Sequence, residues 1–247
     1  MLVAAMVAAF MAGLPQNAPH SPLLSTPGSP PRSRSIVALT FDDGPSSPYT
    51  GEILNLLTRY HAHATFFVLG SEVAQFPRIA REIVKQGSVV ANHGYRHLNY
   101  FQVGITAIGQ DAARTEELLK KERIPSVPFY RPPFGNSNHT LVTYMAARGY
   151  TLTLWSIDTR DWTGPSTPII TARVLTHIRP NAIVLMHDGG GNRSHTVDAL
   201  EAILPALTSE GYQFVTMPQY VKDLGLKHAP AKLPLSSPVQ TKSSRPS

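Results

Sequence analysis

The stretch ALTFDDGPSSP, residues 38–48, runs from strand-forming residues into a turn within a few positions. Leu39, Thr40 and Phe41 suit a pleated backbone, whereas Gly44, Pro45, Ser46, Ser47 and Pro48 are turn formers. Two carboxylates, Asp42 and Asp43, occupy the junction. A plain loop explains Asp beside Gly as turn chemistry. A strand end is also where α/β folds collect reactive groups, and two adjacent acids there can divide the work, one gripping a metal and one moving a proton. The rest of the sequence decides between these readings.

The same apolar-to-polar transition recurs along the chain. Strands are expected at SIVALTF (35–41), ATFFVL (64–69), SVVA (88–91), VPFYR (127–131), TLTLWSI (151–157), AIVLMH (182–187) and YQFVTM (212–217). Between them lie helical stripes. Ile53, Leu56, Leu57 and Tyr60 follow the i, i+3, i+4, i+7 spacing, and Ile79, Ala80, Ile83 and Val84 form a second stripe between Pro77 and Gly87. Leu141, Val142 and Met145 lead to Gly149 in the same way. Pro205 falls inside the stripe Val197, Leu200, Leu204, Leu207, which predicts a kinked or late-starting helix. Strands alternating with helices imply a parallel sheet. The polar residues suited to chemistry follow five different strands, at Asp42/Asp43, His93/His97, Arg131, Asp158/Asp161 and His187. The strand pattern alone leaves open whether the sheet closes. An open sheet would draw mainly on strands beside one switch point, so these positions favour a barrel-like arrangement of about seven parallel strands in a single α/β domain.

Composition sets the frame. The 247 residues are 42% hydrophobic and 15% charged, enough to bury a core, and the net charge is +6. No basic helix or aromatic-interleaved patch points to nucleic acid, so no nucleic-acid partner is expected; a basic surface instead suits an anionic cell wall or membrane surface. Cysteine is absent, which excludes a thiol nucleophile, a cysteine zinc site and disulfides. MLVAAMVAAFMAGL (1–14) has the length of a signal-peptide core but no preceding basic residue, and reads as an atypical signal or anchor segment. Residues 15–34 read as a Pro/Ser-rich linker, 35–226 as the catalytic domain, and 227–247 as a disordered basic Pro/Ser-rich tail. A secreted or cell-surface protein is expected.

His93 and His97 are four residues apart, so a helical turn would present both imidazoles on one face. Two His and one carboxylate leave open positions on a metal, the pattern of a catalytic site, and Asp43 is the expected third ligand. Asp42 then lies where a carboxylate can deprotonate water acidified by a divalent cation. Arg131, in FYRPPFG, is a permanent cation able to hold a carboxylate bidentately, and the Pro-Pro pair after it can aim the Phe134 N–H into the site. His187, before the flexible run Gly189–Gly191, is placed to protonate a leaving amine. Asp161 can orient and charge that imidazole, and Trp162 can supply an apolar wall.

TFDDG, HGYRH, RPPFG, DTRDW and LMH, in this order and over residues 35–220, resemble the five motifs of the NodB-homology polysaccharide deacetylases, carbohydrate esterase family 4. The resemblance implies a distorted (β/α) TIM-like barrel and a metal-dependent hydrolase removing acetyl groups from N-acetylated sugars of a polysaccharide, a peptidoglycan or chitin-like glycan. It implies Asp42 as general base, Asp43, His93 and His97 as ligands of one divalent ion (zinc first, with cobalt, nickel or manganese as alternatives), and Arg131 as orienter of the base. It implies Phe134 as oxyanion donor, His187 as general acid tuned by Asp161, and Trp162 and Leu185 as walls of the acetyl pocket. Two residues depart from the motifs. Gly94 stands where a hydroxyl residue usually braces the loop, which implies weaker metal binding, and Phe134 stands where Tyr is common.

Other features read as structural. His61 and His63 flank a strand at a spacing unsuited to one helix face; His139, His177 and His195 lack an acid partner; and Phe66 and Phe67 belong to the core. No Gly-x-Ser-x-Gly elbow exists for a serine esterase. The rival readings are a metal hydrolase of acetyl-xylan, another acetyl ester or a small amide, and a non-catalytic glycan-binding protein that keeps the fold.

Overall fold

The computed structural model describes residues 35–226. The expected apolar segment, linker and tail lie outside the described residues. In chain order the elements are β1 (Ile36–Asp42), α1 (Tyr49–Arg59), β2 (Thr65–Val68), α2 (Gly70–Gln75), α3 (Pro77–Lys85), β3 (Val89–Asn92), α4 (Tyr100–Lys121), β4 (Ser126–Tyr130), α5 (His139–Ala146), β5 (Thr151–Leu152), β6 (Ile157–Asp158), α6 (Thr167–Leu175), β7 (Ala182–His187), α7 (Ser194–Ser209), β8 (Gln213–Phe214) and α8 (Met217–Asp223). No helix among the described residues is long and apolar enough to cross a membrane.

All strand pairs are parallel, in the order β5-β4-β3-β2-β1-β7-β6, and β8 pairs with the first two residues of β1. The segment expected as one strand over 151–157 is two. Thr151 and Leu152 pair with β4, and Ile157 and Asp158 pair with β7, at opposite edges of the sheet. A single strand cannot serve both neighbours, so the chain crosses between them. Five residue steps reach at most about 18 Å, which forces the sheet to curl until its edges approach. This crossing makes the barrel distorted.

Period-two alternation sorts side chains between the two faces of the sheet. On β1, Val37, Leu39 and Phe41 join the larger core, packed with Ile53 and Leu57 of α1 and Leu200, Ile203 and Leu204 of α7. The other parity, Ile36 and Ala38, joins a second cluster with Phe67, Ala91, Phe129, Ile183 and Tyr220. That inner file continues along β1 to Thr40 and Asp42, so an apolar floor gives way to polar groups at the C-terminal end. The same parity carries Ile183, Leu185 and His187 on β7. Phe66 and Phe67 are both fully buried, one in each cluster.

The helices follow the expected stripes. Pro77 opens α3, and Gly87, at φ +87°, follows its C-cap Gln86. α7 runs from Ser194 to Ser209 with Pro205 inside it, so the late start does not occur; burial of Thr196, Ala199, Leu200, Ile203 and Leu204 fixes the helix from its first turn.

Candidate active site

The C-terminal ends of β1, β3, β4 and β7 meet at one place because the strands are parallel and their last residues are paired. Asp42 is paired with His187 across β1 and β7, and Asn92 with Tyr130 across β3 and β4. The residues just beyond, Asp43, His93 and Arg131, enter the same space.

Asp43 leaves the strand at φ +72°, a left-handed conformation that Asp tolerates better than most residues. Its Oδ1 is 3.4 Å from Nε2 of His93 and 3.4 Å from Nε2 of His97. It is buried and accepts no hydrogen bond. One donor atom from each of the three residues lies within 4.8 Å of the others. An orphaned buried carboxylate oxygen facing two imidazole nitrogens fits a divalent cation. Nδ1 of His93 is 2.7 Å from the carbonyl oxygen of Arg131; donation there leaves Nε2 as the lone-pair nitrogen toward Asp43. Burial works to raise the Asp43 pKa, but His93 in its protonated form, with His97 and His187 behind it, holds the carboxyl well below its ordinary range.

His93 and His97 converge without a helix. Residues 93–99 form an irregular loop, with Gly94 at φ +83° and His97 at φ +57°. The expected helical turn is replaced by this loop because Gly94 N–H bonds back to Asn92 Oδ1 and the Gly94 and Tyr95 carbonyls accept from Gly70 and Ser71 at the start of α2. Those bonds direct the backbone away from the i−4 pattern.

Asp42 is 3% exposed and Arg131 is fully buried, and they form an ion pair of 2.7 Å through Nη1. The bidentate fork expected for Arg131 does not form. Nη1 also donates to Thr40 Oγ1, while Nε and Nη2 donate to the carbonyls of Thr153 and Leu154. The crossing between β5 and β6 claims the other half of the guanidinium. Arg131 therefore ties the base candidate to the segment that curls the sheet, with its carbon over the Phe67 ring at 4.1 Å.

Asp161 opens a short 3-10 turn, Asp161–Thr163, after β6. Its Oδ1 is 2.7 Å from His187 Nδ1, its Oδ2 accepts from the His187 amide, and Thr159 and Thr196 donate to the two oxygens. Burial pushes the His187 pKa down, yet the Asp161 bond and charge, with Asp42 and Asp43 farther off, raise it above the ordinary value. Phe134 sits at the apex of a second 3-10 turn, Pro133–Gly135, at φ +63°, with its ring 4.5 Å from that of His97. Phe134 and Trp162 are 61% and 53% exposed, whereas Leu185 is buried on the inner parity of β7.

Three residues of this region escaped the sequence reading. Asp188 is fully buried beneath the Asp42–Gly44 turn; its amide donates to Asp42 O, its Oδ2 accepts from Thr50, and its carbonyl accepts from Ser46 Oγ. Burial pushes its carboxyl up to about 7. Arg193, 5% exposed, donates to the carbonyls of Gly189 and Gly190. The glycine run read as flexible is thus clamped, and Gly189 is there for close approach, since a Cβ would collide with the Asp43 backbone. Asp111, buried in α4, accepts from the histidine loop. Apart from the Arg96 guanidinium on Asp111, their partners are main-chain groups or distant hydroxyls, which leave no spacing signal.

A curled β/α barrel with an Asp-His-His triad beside a buried Asp-Arg pair and an Asp-His pair has the layout of a metal-dependent hydrolase. The family model of the polysaccharide deacetylases matches residues 29–153. A peptidoglycan-N-acetylglucosamine deacetylase of Bacillus cereus is 37% identical over 191 residues, covering 77% of this chain and 70% of that protein. A chitooligosaccharide deacetylase of Bradyrhizobium is 34% identical, covering 74% of this chain and 89% of its own. The solved structure of the Bc1960 peptidoglycan N-acetylglucosamine deacetylase in complex with 4-naphthalen-1-yl-N-oxidanyl-benzamide superposes with a TM-score of 0.73 at 37% identity, over 77% of this chain and 89% of that one. The chain belongs to the polysaccharide deacetylase family, enzymes that hydrolyse carbon–nitrogen amide bonds.

Proposed function

We propose that this protein removes acetyl groups from N-acetylated sugars of a cell-wall or chitin-like glycan, using one divalent ion, zinc in the first instance, held by Asp43, His93 and His97. The observation that carries the reading is the unpaired Asp43 Oδ1 equidistant from two imidazole nitrogens. The ion would supply Lewis acidity toward the acetamide carbonyl and the attacking water.

Asp42 takes the proton from that water as its oxygen bonds to the acetamide carbon. Arg131 fixes the Asp42 carboxylate by its single 2.7 Å bond. The Phe134 N–H is assigned to the developing oxyanion. His187, charged and aligned by Asp161, gives its proton to the sugar nitrogen as the carbon–nitrogen bond breaks, leaving acetate and a free amine. Leu185 and Trp162 line the acetyl methyl, and the exposed rings of Trp162 and Phe134 offer apolar faces to the sugars. The peptidoglycan and chitooligosaccharide substrates of the relatives above, and the basic net charge of +6, support action at an anionic cell wall by a secreted or surface-held protein. The domain limits 35–226, with a signal or anchor before them and a basic tail after, belong to this proposal.

The test is acetate release from an N-acetylglucosamine oligomer and from peptidoglycan by the full chain, with Zn²⁺, with a chelator, and as D42N. Chelator-sensitive acetate that vanishes in D42N is expected. Release from acetyl-xylan alone would move the substrate to an ester. Zinc-loaded protein that binds glycan and releases nothing would leave the glycan-binding reading.

A further inference from the structure

We propose that Asp111 is the positioning residue of the histidine loop, and that Gly94 is its steric partner rather than a defect of the metal site. The proposal rests on the assignment of His93 and His97 as ligands. Asp111 lies inside α4, a poor place for a buried carboxylate unless its lone pairs are met. It is 3% exposed, and the loop meets them. Oδ2 accepts the amides of Tyr95 and Arg96 at 2.7 and 3.0 Å, and Oδ1 accepts Nε of Arg96 at 2.9 Å. Tyr95 and Arg96 are the residues that bridge Gly94 to His97.

The neighbouring helical position grips the other side of Gly94. The carbonyl of Ala112 accepts from Asn92 Nδ2, and Asn92 Oδ1 accepts the Gly94 amide. Adjacent residues of one helix thereby hold the loop immediately before His93 and immediately before His97. A Cβ at residue 94 would lie 2.9 Å from Asp111 Oδ2 on a backbone at φ +83°. A side chain there is strained by conformation and also presses on the carboxylate. The Cβ of the hydroxyl residue expected here by resemblance would meet Asp111 Oδ2, and that carboxylate already holds the loop by the Tyr95 and Arg96 amides.

The two readings predict opposite signs for G94S. If the loop lacks a brace, serine strengthens metal binding; if Asp111 is the brace, serine weakens it. The full chain, D111A, D111N, R96A and G94S are titrated with Zn²⁺ by calorimetry, and amide exchange of residues 94–97 is followed in metal-free protein. D111A is expected to weaken Zn²⁺ binding about tenfold or more, in the range of outer ligand supports, and to deprotect the Tyr95 and Arg96 amides. D111N, whose one oxygen can accept both amides, is expected to restore most of both, and R96A to stay within about twofold of the parent because the amide bonds remain. G94S is expected to weaken binding and needs no change in α4, so it judges the proposal even where D111A fails to fold. G94S binding as tightly as the parent, or D111A keeping parental affinity and exchange, overturns the proposal. A parent that binds no Zn²⁺ would overturn the ligand assignment instead, and the exchange of the Tyr95 and Arg96 amides in D111A would still decide whether Asp111 braces the loop.

Discussion

Asp161 holds His187 twice, by the main-chain amide through Oδ2 and by Nδ1 through Oδ1 at 2.7 Å. The imidazole is thereby fixed in direction and raised in pKa, with the opposing cost of burial already included. An acid that must be protonated to act sets the alkaline limb of a pH–rate profile. D161N should therefore move that limb to lower pH as well as lowering kcat. Stability follows the same sign. The raised His187 contributes fully below the ordinary histidine value near 6.5, and its contribution fades as pH rises through the higher folded value. The parent should lose more stability than D161N between pH 6 and pH 9 in thermal melts of metal-free protein. Parallel limbs in the two proteins would remove Asp161 from this role.

The Asp42–Arg131 pair separates chemistry from folding. D42N keeps an oxygen for Arg131 Nη1 and for the packing around it, so it should fold, bind Zn²⁺ and lose turnover by about 10²–10⁴-fold, the scale of a general base. R131L leaves the buried Asp42 charge without its guanidinium, a loss of about 3–5 kcal/mol. It also empties the carbonyls of Thr153 and Leu154, where the sheet edges approach. R131K should recover little, because one ammonium cannot span Asp42, Thr40 and both carbonyls. Calorimetric melts and acetate assays on the three variants check the ordering; an R131L protein as stable as D42N would contradict it.

Much of this arrangement is legible in the sequence because parallel strands end together. An apolar run followed by a polar residue announces both the strand and the end at which its side chain works, and Asp42, Arg131 and His187 are all found that way. The breaks in legibility have separate physical causes. The run 151–157 looks like one strand since its residues are uniformly suited to a sheet, and only the positions of β4 and β7 divide it. The His93–His97 spacing matches a helical face, but hydrogen bonds from Asn92 and α2 fold the loop otherwise. Asp188 hides behind His187 as a turn residue because its partner, Thr50, is 138 positions away.

Asp188 itself gives a prediction of unusual sign. Its carboxyl, pushed up to about 7 by burial, with Asp43 and Asp42 adding to the rise, is neutral in the folded chain where an unfolded Asp is charged. Such a group stabilises below the unfolded value, near 3.9 for a model Asp, and that contribution is lost as pH rises through about 7. D188N, an uncharged isostere that still accepts from Thr50, should come nearest the parent at acid pH. Above neutral pH it should be the more stable metal-free protein. Melting temperatures at pH 5 and pH 8.5 decide this, and a gap of constant size would rule out a neutral Asp188.

The two histidines should fail differently. His93 is 2% exposed and its Nδ1 is bound to the Arg131 carbonyl, so it supports the ends of β3 and β4 as well as facing Asp43. The His97 side chain is 29% exposed, and its ring meets Phe134 edge to face. H93A removes a buried ring and leaves a carbonyl unmet, which should cost the metal-free protein about 2–4 kcal/mol. H97A should cost the metal-free protein clearly less than H93A, because its ring is partly exposed and bonds no main-chain carbonyl. Both should bind Zn²⁺ far more weakly, and both should lose the rise in melting temperature that Zn²⁺ gives a protein binding it only when folded. Equal metal-free stabilities for the two variants would mean that the Arg131 carbonyl does not depend on His93, and the fixed tautomer argued for Nε2 would fall with it.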